Sequence, residues 1–305
     1  MYNSLNKYLK NRFGCKVYKL ALSGGMTCPN RDGTLGTRGC IFCSSLGSGD
    51  FAEVGSNSIT KQIENAKLRV KAKIKDGKYI AYFQDFTNTY APTEYLEKIF
   101  TEAINHPDVV ALSIATRPDC LPYDVLNLLK KLNKIKPIWV ELGLQTIHPK
   151  TADYIRRGYD LTIFDESIKN LKTIGVEVIV HMIVGLPNET EEMIYKTAEY
   201  IGRSGADGIK IHLLHVLQNT DLSEDYKNNK FKLPTLEKYT ELVIGCLKRI
   251  PENMVVHRLT GDGAKRELIA PLWSADKKRV LNYMNSEFTR ACLIQGELFA
   301  KITPL

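Results

Sequence analysis

The stretch VEVIVHMIVGLP, residues 176–187, decides the fold of this chain. It is a nearly continuous apolar run of strand length that ends in Gly-Leu-Pro, which is typical of a strand buried on both faces. A helical pattern follows over residues 189–204, and a second apolar run, GIKIHLLHV, occupies residues 208–216. Alternation of this kind predicts parallel strands that are joined by helical crossovers.

The same strand–helix unit recurs toward the N-terminus at a spacing of roughly 30 residues. Six units before residue 216 predict an α/β fold: a partial (βα)6 TIM-like barrel with a basic N-terminal segment over residues 1–216, and an α/β extension packed on it over residues 217–305. Active sites of such barrels lie at the carboxyl ends of the strands. The expected strands are 16–22, 79–86, 109–116, 137–146, 176–187, 208–216 and 254–261, and the expected helices are 57–75, 93–105 with Thr93 as its N-cap, 122–134, 149–157, 161–174, 189–204, 235–249 and 277–300.

Composition excludes several classes of protein. The chain has 305 residues, of which 44% are hydrophobic and 25% charged, which is a globular composition and not a disordered one. No stretch approaches the ~20 apolar residues that span a bilayer, and the first residues lack the apolar segment of a secretory signal. We therefore expect a cytoplasmic protein with reduced thiols and no membrane association.

The positive charge is concentrated in the first quarter of the chain. Residues 1–38 carry seven bases and one acid, and residues 67–78 carry six bases and one acid, within a formal net charge of +8. Such runs form either solvated helix faces or a surface for a polyanion such as RNA. The candidate RNA-binding residues are Lys7, Lys10, Arg12, Lys16, Lys67, Arg69, Lys71, Lys73 and Lys75.

Three of the seven cysteines are grouped in the segment TCPNRDGTLGTRGCIFC, residues 27–43. Cys28, Cys40 and Cys43 have the spacing C-x11-C-x2-C, and the glycines between them predict a loop directly after the first strand. Four interpretations are open: a structural zinc site completed by Cys120 or a histidine, a C-x2-C redox pair, unrelated buried thiols, or a [4Fe–4S] cluster. The last is favoured, because three thiolates without a nearby fourth ligand leave one iron open for chemistry.

Several further motifs give the chain a resemblance to a known family. It resembles the radical S-adenosylmethionine (SAM) enzymes, and more narrowly the YhcC/YtqA-type branch, whose barrel is similar to that of the catalytic subunit of Elongator. Two features of these relatives are not expected here. The acetyltransferase domain of the Elongator subunit is not implied, and the usual Gly-Gly-Glu on the second strand is replaced by FQDFTNTY (83–90). In order along the chain, the motifs are residues 27–43, ATRPDCL (115–121), ELGLQT (141–146), IRRGYD (155–160), VGLPNET (184–190), KIHLLHVLQNT (210–220), HRLTGD (257–262) and PLWSADKKRVLN (271–282).

The resemblance implies two cofactors, a [4Fe–4S] cluster and SAM. Cys28, Cys40 and Cys43 would bind three irons, and SAM would chelate the fourth and be cleaved to a 5′-deoxyadenosyl radical that abstracts hydrogen from a substrate. Gln84, Asp85 and Thr87 are the local candidates for the contact that Gly-Gly-Glu usually makes. The full set of residues expected at SAM is Gln84, Asp85, Thr116, Arg117, Gln145, Arg157, Gly185, Leu186 and Pro187.

A carboxylate lies inside the fourth strand, in WVELGLQ. Glu141 shares a strand face with Gln145, and it should point into the barrel lumen because an unpaired carboxylate is costly in an apolar core. Its alternative role is a structural ion pair with Lys210 or Arg117. His181 is either a satisfied core histidine or a contact in the lumen. The candidate catalytic residues are Glu141, His181 and Lys210.

The resemblance also implies a substrate, the wobble uridine of transfer RNA, which Elongator-like enzymes modify at carbon 5. The YtqA-like branch is associated with conversion of a 5-carboxymethylaminomethyl side chain to 5-aminomethyl. The expected partners are tRNA and an electron donor such as flavodoxin or ferredoxin. Two alternatives stay open: a radical SAM enzyme that acts on a small molecule or a porphyrin precursor, and a zinc-containing RNA-binding module.

Overall fold

Parallel strands form the central sheet of the protein, whose computed structural model describes residues 1–47, 58–72, 74, 77–261, 263 and 265–301. Most of these strands are apolar throughout, as expected where both faces of a sheet are covered. The described strands are β1 (Lys16–Leu22), β2 (Gly77–Phe83), β3 (Val109–Thr116), β4 (Ile138–Gln145), β5 (Glu177–Val184), β6 (Gly208–Leu213), β7 (Val216–Leu217), β8 (Val255–Arg258) and β9 (Leu268–Ala270).

The main sheet has the order β1-β2-β3-β4-β5-β6-β8, and all neighbouring pairs are parallel. It is curled rather than flat, because Nζ of Lys210 on β6 lies 3.1 Å from the hydroxyl of Tyr82 on β2. Four strand spacings in a flat sheet would separate these strands by about 19 Å. The predicted partial α/β barrel is therefore confirmed.

The barrel has one strand more than the six that the sequence predicts. β8 pairs with β6 in parallel, through Gly208↔Val255 and Ile209↔Val256. The strand pattern at 254–261 was expected within the C-terminal extension packed on the barrel, yet the chain returns there to the open edge of the sheet. The main sheet thus continues past residue 216, because the apolar side chains of Val255 and Val256 are buried on this edge.

Helices cover the outer face of the sheet with apolar stripes. The third helix, for example, buries Leu96, Ile99, Phe100 and Ala103, the spacing of one helical face. Its N-cap position is taken by Pro92 and not by Thr93, which is the first helical residue. The described helices are α1 (Leu5–Phe13), α2 (Ile59–Val70), α3 (Thr93–Asn105), α4 (Tyr123–Asn133), α5 (Pro149–Tyr154), α6 (Leu161–Thr173), α7 (Glu191–Arg203), α8 (Asp221–Lys227), α9 (Leu236–Lys248) and α10 (Lys277–Arg290), with 3-10 turns at Pro118–Cys120, Leu272–Ala275 and Phe299–Lys301.

Two expectations for the C-terminal region are corrected. The predicted strand 208–216 is divided, since β6 ends at Leu213 and β7 leaves the sheet to pair antiparallel with β9. The predicted helix 277–300 ends at Arg290, where Cys292 takes a left-handed backbone conformation with φ of 47°. A non-glycine residue in that conformation cannot continue an α-helix.

The barrel lumen is built in layers that follow the two-residue repeat of the strands. The lowest layer is apolar and lies toward the ends where the strands begin. Two residues further along each strand comes a ring of polar side chains, here called the polar layer. The apolar layer consists of Val17, Ile80, Ala111, Trp139 and Ile179, and the polar layer consists of Lys19, Tyr82, Ser113, Glu141, His181, Lys210 and Arg258.

Helix α1 closes the lower end of the lumen. Its Leu9 packs in one cluster with the apolar layer, joined by the half-buried Leu5, Tyr8 and Phe13. Ser4 caps the helix by accepting a hydrogen bond from the backbone N–H of Lys7. Among the described helices, none combines the length and the apolar character needed to cross a membrane.

Candidate active site

A large cavity lies at the carboxyl ends of the barrel strands, above the polar layer. All three grouped cysteines line it, together with Gln145 at the end of β4. Tyr82, Glu141, His181 and Arg258 of the polar layer line its floor. The cavity thus joins the cysteine loop and the lumen into one space, at the end of the fold where barrel enzymes have their sites.

The cysteine loop is held in shape by its own backbone and by two polar side chains. The backbone N–H of Cys43 donates to the carbonyl of Cys40 at 3.0 Å. Asn30 Nδ2 lies 3.4 Å from Cys40 Sγ and donates to the carbonyl of Arg156 at 2.7 Å. Arg31 Nη2 donates to the carbonyls of Cys43 and Ser44 at 3.2 and 2.6 Å. The thiols are therefore positioned by a rigid loop.

The three thiols fit an iron–sulfur cluster better than a single metal ion. All are free of disulfides. Burial, and next the charges of the neighbouring Cys43 and Cys28, raise the pKa of Cys40 to about 12. A cationic centre that binds all three would relieve this repulsion. Thiolates around one zinc ion would lie about 3.8 Å apart, whereas among the described residues these three do not form a set within 4.8 Å.

An anchor connects the cysteine loop to helix α8. The carboxylate of Asp221, in the first turn of α8, pairs with Arg38 of the loop and with Arg156 after α5. The backbone continues this connection, because the N–H of Leu222 donates to the carbonyl of Ile41 at 3.1 Å. One carboxylate outside the barrel thus ties both chain segments that surround Cys40.

Five of the nine residues expected at SAM line the cavity with the cysteines: Gln84, Thr116, Arg117, Gln145 and Arg157. Gln145 has a left-handed backbone with φ of 68°, where β4 and β5 shift register. Strained conformations of this kind are common at functional sites. The contact of these residues with SAM stays a prediction.

The two arginines of this set already hold the chain around the cavity. Arg117 binds Asp119 through Nε and Nη2, at 2.9 and 2.7 Å, and its Nη1 donates to the carbonyl of Arg157 at 2.8 Å. Arg157 donates to the carbonyls of Thr146 and Tyr159 at 2.6 and 3.0 Å. Both guanidinium groups therefore bind protein oxygens, in addition to any role toward a cofactor.

The other four residues expected at SAM do not line the cavity. Asp85 is buried beside β1, where its Oδ2 accepts from Ser23 Oγ at 2.5 Å, and burial raises its pKa. Its Oδ1 is buried with no hydrogen-bond partner in the described part of the chain. Gly185, Leu186 and Pro187 follow β5, and Gly185 has a φ of 95° with its Cα facing Pro234.

Glu141 is the centre of the polar layer. Its carboxylate is fully buried and accepts from Lys19 Nζ at 2.6 Å, Ser113 Oγ at 2.6 Å and His181 Nε2 at 2.7 Å, and it also pairs with Lys210. The partners come from β1, β3, β5 and β6. The three candidate catalytic residues are thus brought together, and the ion pair with Lys210 forms, whereas Arg117 pairs with Asp119 instead.

The electrostatics of the polar layer follow from two ammonium groups that share one carboxylate. Burial alone would raise the pKa of Glu141, but Lys19 and Lys210 lower it well below its usual range. Burial and neighbouring cations lower the pKa of both lysines. Burial, and next the charge of Lys210, lower the pKa of His181 to about 4. His181 is therefore neutral near pH 7.

The predicted RNA-binding residues that the structure describes lie at the opposite end of the barrel from the cavity. Helix α1 closes the end where the strands begin, and α2 ends at Val70, shortly before β2 begins at Gly77. Lys7, Lys10 and Lys71 are exposed there. Lys16 and Arg69 are exposed as well, while Lys73 and Lys75 lie outside the described residues.

Two of these candidates are engaged with carboxylates. Arg12 pairs with Glu177, and Lys67 Nζ lies 2.9 and 2.8 Å from the carboxylates of Glu64 and Asp108. His106, Glu64 and Asp108 have ligand atoms close enough for a metal ion, but Lys67 supplies the positive charge of this cluster. Arg12 and Lys67 are therefore weaker candidates for phosphate contacts than the exposed Lys7, Lys10 and Lys71.

Several residues at the cavity were not identified from the sequence. Lys19 was counted with the surface bases, although a lysine inside the apolar run KVYKLAL can indicate a lumen position. Tyr82, Ser113 and Arg258 complete the polar layer. As for Lys19, the sequence indication of a lumen position was a polar residue two positions after an apolar one on a buried strand. The exposed Lys265 and Arg266 follow Gly263, which lines the cavity.

The fold and the cysteine loop define an enzyme of the radical SAM class. Residues 33–201 match the model of the Radical SAM superfamily, and residues 206–290 match that of the Radical_SAM C-terminal domain. The chain belongs to this superfamily, whose members use SAM and a [4Fe–4S] cluster. Among its relatives it falls in the YhcC/YtqA-type branch, as the motifs predicted.

Three relatives define the similarity. The protein YtqA of Bacillus subtilis is 46% identical over 301 residues, which cover 99% of this chain and 94% of YtqA. A tRNA uridine(34) acetyltransferase of Methanocaldococcus jannaschii is 29% identical over 156 residues, 50% of this chain and 28% of that protein. The structure of an archaeal Elp3 from Methanocaldococcus infernus has a TM-score of 0.68 at 20% identity, over 95% of this chain and 68% of that one, and shows the shared fold.

Proposed function

We propose that this radical SAM enzyme modifies the wobble uridine of tRNA and converts its 5-carboxymethylaminomethyl side chain to 5-aminomethyl. The two carboxymethyl carbons would leave as glyoxylate, with the aldehyde oxygen from water and with SAM, cleaved to 5′-deoxyadenosine and methionine, as the two-electron oxidant. The observation that carries the proposal is the single cavity that joins three cysteines to a polar lumen, since a base side chain placed in that lumen would lie below the cofactors. The similarity to a relative named for tRNA uridine 34 supports the substrate.

In this proposal each part of the site has a task. Cys28, Cys40 and Cys43 hold the cluster, which together with bound SAM supplies the hydrogen-abstracting chemistry. The base leaves its stack so that its side chain can enter the cavity. His181 faces Glu141 with Nε2; that nitrogen donates to the carboxylate, so neutral His181 accepts a proton at Nδ1. The buried ion pairs of Glu141 fix this geometry.

The proposal includes two partners. A tRNA supplies the wobble uridine, and a flavodoxin or ferredoxin supplies electrons to the cluster in the cytoplasm. The exposed bases near the cavity, Lys265 and Arg266, support contact with the phosphates around the target base. The basic ends of α1 and α2 would reach more distant phosphates of the same tRNA.

The test is nucleoside analysis of tRNA after anaerobic incubation with reconstituted enzyme, SAM and a reductant. We expect 5-carboxymethylaminomethyluridine to decrease and 5-aminomethyluridine to increase in proportion to 5′-deoxyadenosine. Cys40→Ala should abolish both changes and the visible absorbance of the cluster, whereas Cys292→Ser, at an exposed cysteine outside the cavity, should retain them. An unchanged wobble uridine with active SAM cleavage would refute the proposed substrate.

A radical SAM enzyme for a small molecule is the second candidate. It is favoured by one observation: the exposed bases Lys7, Lys10 and Lys71 lie at the end of the barrel away from the cavity. The two candidates differ in their salt dependence, because tRNA binding releases counterions and weakens steeply with ionic strength. Absence of salt-dependent binding to tRNA would favour the small-molecule substrate.

A further inference from the structure

Asn30 connects the two ends of the cysteine loop. It comes two residues after Cys28, in a turn where the backbone N–H of Arg31 donates to the carbonyl of Cys28 at 2.8 Å. The carbonyl of Asn30 accepts from the backbone N–H of Gly39 at 2.7 Å. These two bonds bring its side chain to Cys40, although ten positions separate the two residues. The backbone of the loop therefore fixes where this amide lies.

The side-chain amide of Asn30 donates to sulfur and to oxygen at the same time. Its Nδ2 lies 3.4 Å from Sγ of Cys40 and 2.7 Å from the carbonyl oxygen of Arg156. The contact with the carbonyl identifies this end of the amide as the nitrogen, because Oδ1 in its place would set two acceptors against each other. Asn30 is only 5% exposed, so little water competes for these hydrogens.

The carbonyl of Arg156 gives this donor a specific task. Its oxygen lies 3.6 Å from Sγ of Cys40, within reach of the thiol proton. A cysteine that binds iron is a thiolate and has no proton to donate. The sulfur and the carbonyl oxygen would then be two acceptors that repel each other. Because Nδ2 of Asn30 offers one hydrogen to each of them, the amide removes this conflict when Cys40 is a ligand.

Gly158 leaves the space that the amide of Asn30 occupies. It follows α5 and has a φ of 79°, a conformation that glycine adopts without steric cost. A Cβ at this position would lie 3.0 Å from Oδ1 of Asn30, which is closer than ordinary van der Waals contact. The turn between α5 and α6 and the cysteine loop therefore hold the amide from two sides.

We propose that Asn30 raises the reduction potential of the [4Fe–4S] cluster, as a positioning residue that acts through the sulfur of Cys40. This inference rests on one part of the proposed function, the cluster on Cys28, Cys40 and Cys43, and not on the substrate. One electron from a flavodoxin or ferredoxin reduces the cluster and increases the negative charge on its sulfurs. The N–H···S bond is therefore stronger in the reduced state, which makes reduction more favourable.

The test is a potentiometric titration of the reconstituted cluster without SAM, followed by the electron paramagnetic resonance signal of the reduced form. At a fixed potential, Asn30→Ala should lower the ratio of reduced to oxidised cluster about three- to tenfold, or about 30–60 mV for one electron. Thr34→Val is the matched control, because it removes an uncharged hydrogen bond of the same loop, between Thr34 Oγ1 and the Tyr90 hydroxyl at 3.0 Å. Its potential should equal that of the wild type.

A second measurement detects the hydrogen bond itself. In protein labelled with ¹⁵N at the side-chain amide of asparagine, pulsed electron paramagnetic resonance of the reduced cluster should show a ¹⁵N coupling. We expect this coupling to be absent in Asn30→Ala and retained in Thr34→Val. A side chain that only fills space beside the loop would not produce it. The melting temperature of each variant shows whether it is folded.

The outcomes separate this inference from the proposed function. An unchanged potential in Asn30→Ala overturns the role of Asn30 even if the wobble uridine is modified. An equal shift in Thr34→Val also overturns it, because a looser loop would then be the cause. If Asn30→Ala binds no cluster, the labelled wild type decides, since absence of the amide coupling there overturns the inference. A lower potential in Asn30→Ala, with no tRNA nucleoside changed by the wild type, supports the role of Asn30 and refutes the proposed substrate.

Discussion

Glu141 shows how one residue can determine the character of a barrel interior. Its carboxylate has no exposed surface and is bound by groups from four other strands. A buried ion pair contributes little net stability, because desolvation offsets the attraction, but removal of one partner leaves the others unpaired. The ion pairs of the polar layer therefore serve to fix the positions of its side chains more than to stabilise the fold.

Removal of the Glu141 charge should be strongly destabilising. Glu141→Gln leaves two buried ammonium groups without their shared anion, and we expect a loss of about 3–5 kcal/mol in the free energy of unfolding. Denaturant unfolding of the anaerobic protein measures it. Glu297→Gln, which removes an exposed pair with Lys248, should cost less than about 1 kcal/mol. Equal losses in the two variants would contradict the central role of Glu141.

His181 should make the free energy of unfolding fall at acidic pH. Its pKa is about 4 when folded, whereas an unfolded histidine binds a proton near pH 6.5. Between these values the unfolded chain holds more protons, so the folded state loses stability as the pH falls from about 6.5 toward 4. Between pH 7.5 and 5.5 we expect the wild type to lose about 1.4 kcal/mol more than His181→Gln. Denaturant unfolding at the two pH values measures this. An equal loss of unfolding free energy in the wild type and in His181→Gln would contradict the prediction.

Residue-level prediction worked where a strand fixed the direction of a side chain. Glu141, His181 and Lys210 meet because each is an inward position of a neighbouring strand. It was incomplete where a loop or a turn decides the direction, since Asp85 comes just after β2 and points away from the cavity. Lys19 was missed because a lysine is normally assigned to the surface. Its place in the lumen follows only once its strand is known to face the inside of a barrel.

At the scale of elements, buried parallel strands were the best-defined features of the sequence. Their residues are apolar on both faces, so the runs are easy to delimit. The bounds of β1, β3 and α3 agree with the prediction to the residue. The seventh strand and the ribbon of β7 and β9 could not be assigned to their partners, because short strands carry little pattern and their pairing depends on where the chain returns.

The anchor between the cysteine loop and α8 should control how firmly the cluster is held. Asp221→Asn removes the charge that Arg38 and Arg156 share, so we expect iron loss to a chelator to accelerate several-fold. The free energy of unfolding should change by less than about 1 kcal/mol, because these pairs are partly exposed. Visible absorbance against time measures the loss. Glu224→Gln, at an exposed pair on the same helix, should release iron at the wild-type rate.

At the scale of the whole molecule, the two ends of the barrel have different surfaces. Lys265 and Arg266 lie beside the cavity, while Lys7 and Lys10 lie on α1 at the far end. A seven-residue strand is about 23 Å long, so an anticodon stem-loop placed in the cavity leaves α1 out of reach, although a complete tRNA spans that distance. The number of basic residues alone led to the hypothesis of a polyanion partner. The fold adds where those residues lie relative to the cavity.

This geometry predicts two modes of RNA binding. The double variant Lys265→Ala/Arg266→Ala should weaken stem-loop and tRNA binding and reduce the salt slope by about one for each phosphate that the protein no longer neutralises. Lys7→Ala/Lys10→Ala should weaken binding of complete tRNA and leave the stem-loop unaffected. Affinities at several salt concentrations measure both. Equal effects of the two variants on the stem-loop would show that the distance argument is wrong.

Closure of the lower barrel by α1 has a consequence for the order of turnover. In the described part of the chain, the apolar layer and Leu9 fill that end, so the lumen is a blind well with its mouth beside the cysteines. Whatever occupies the floor must enter before the mouth is filled and cannot depart until the mouth is cleared. Binding and release are therefore ordered: the group at the floor binds first and leaves last, and the group at the mouth binds last and leaves first.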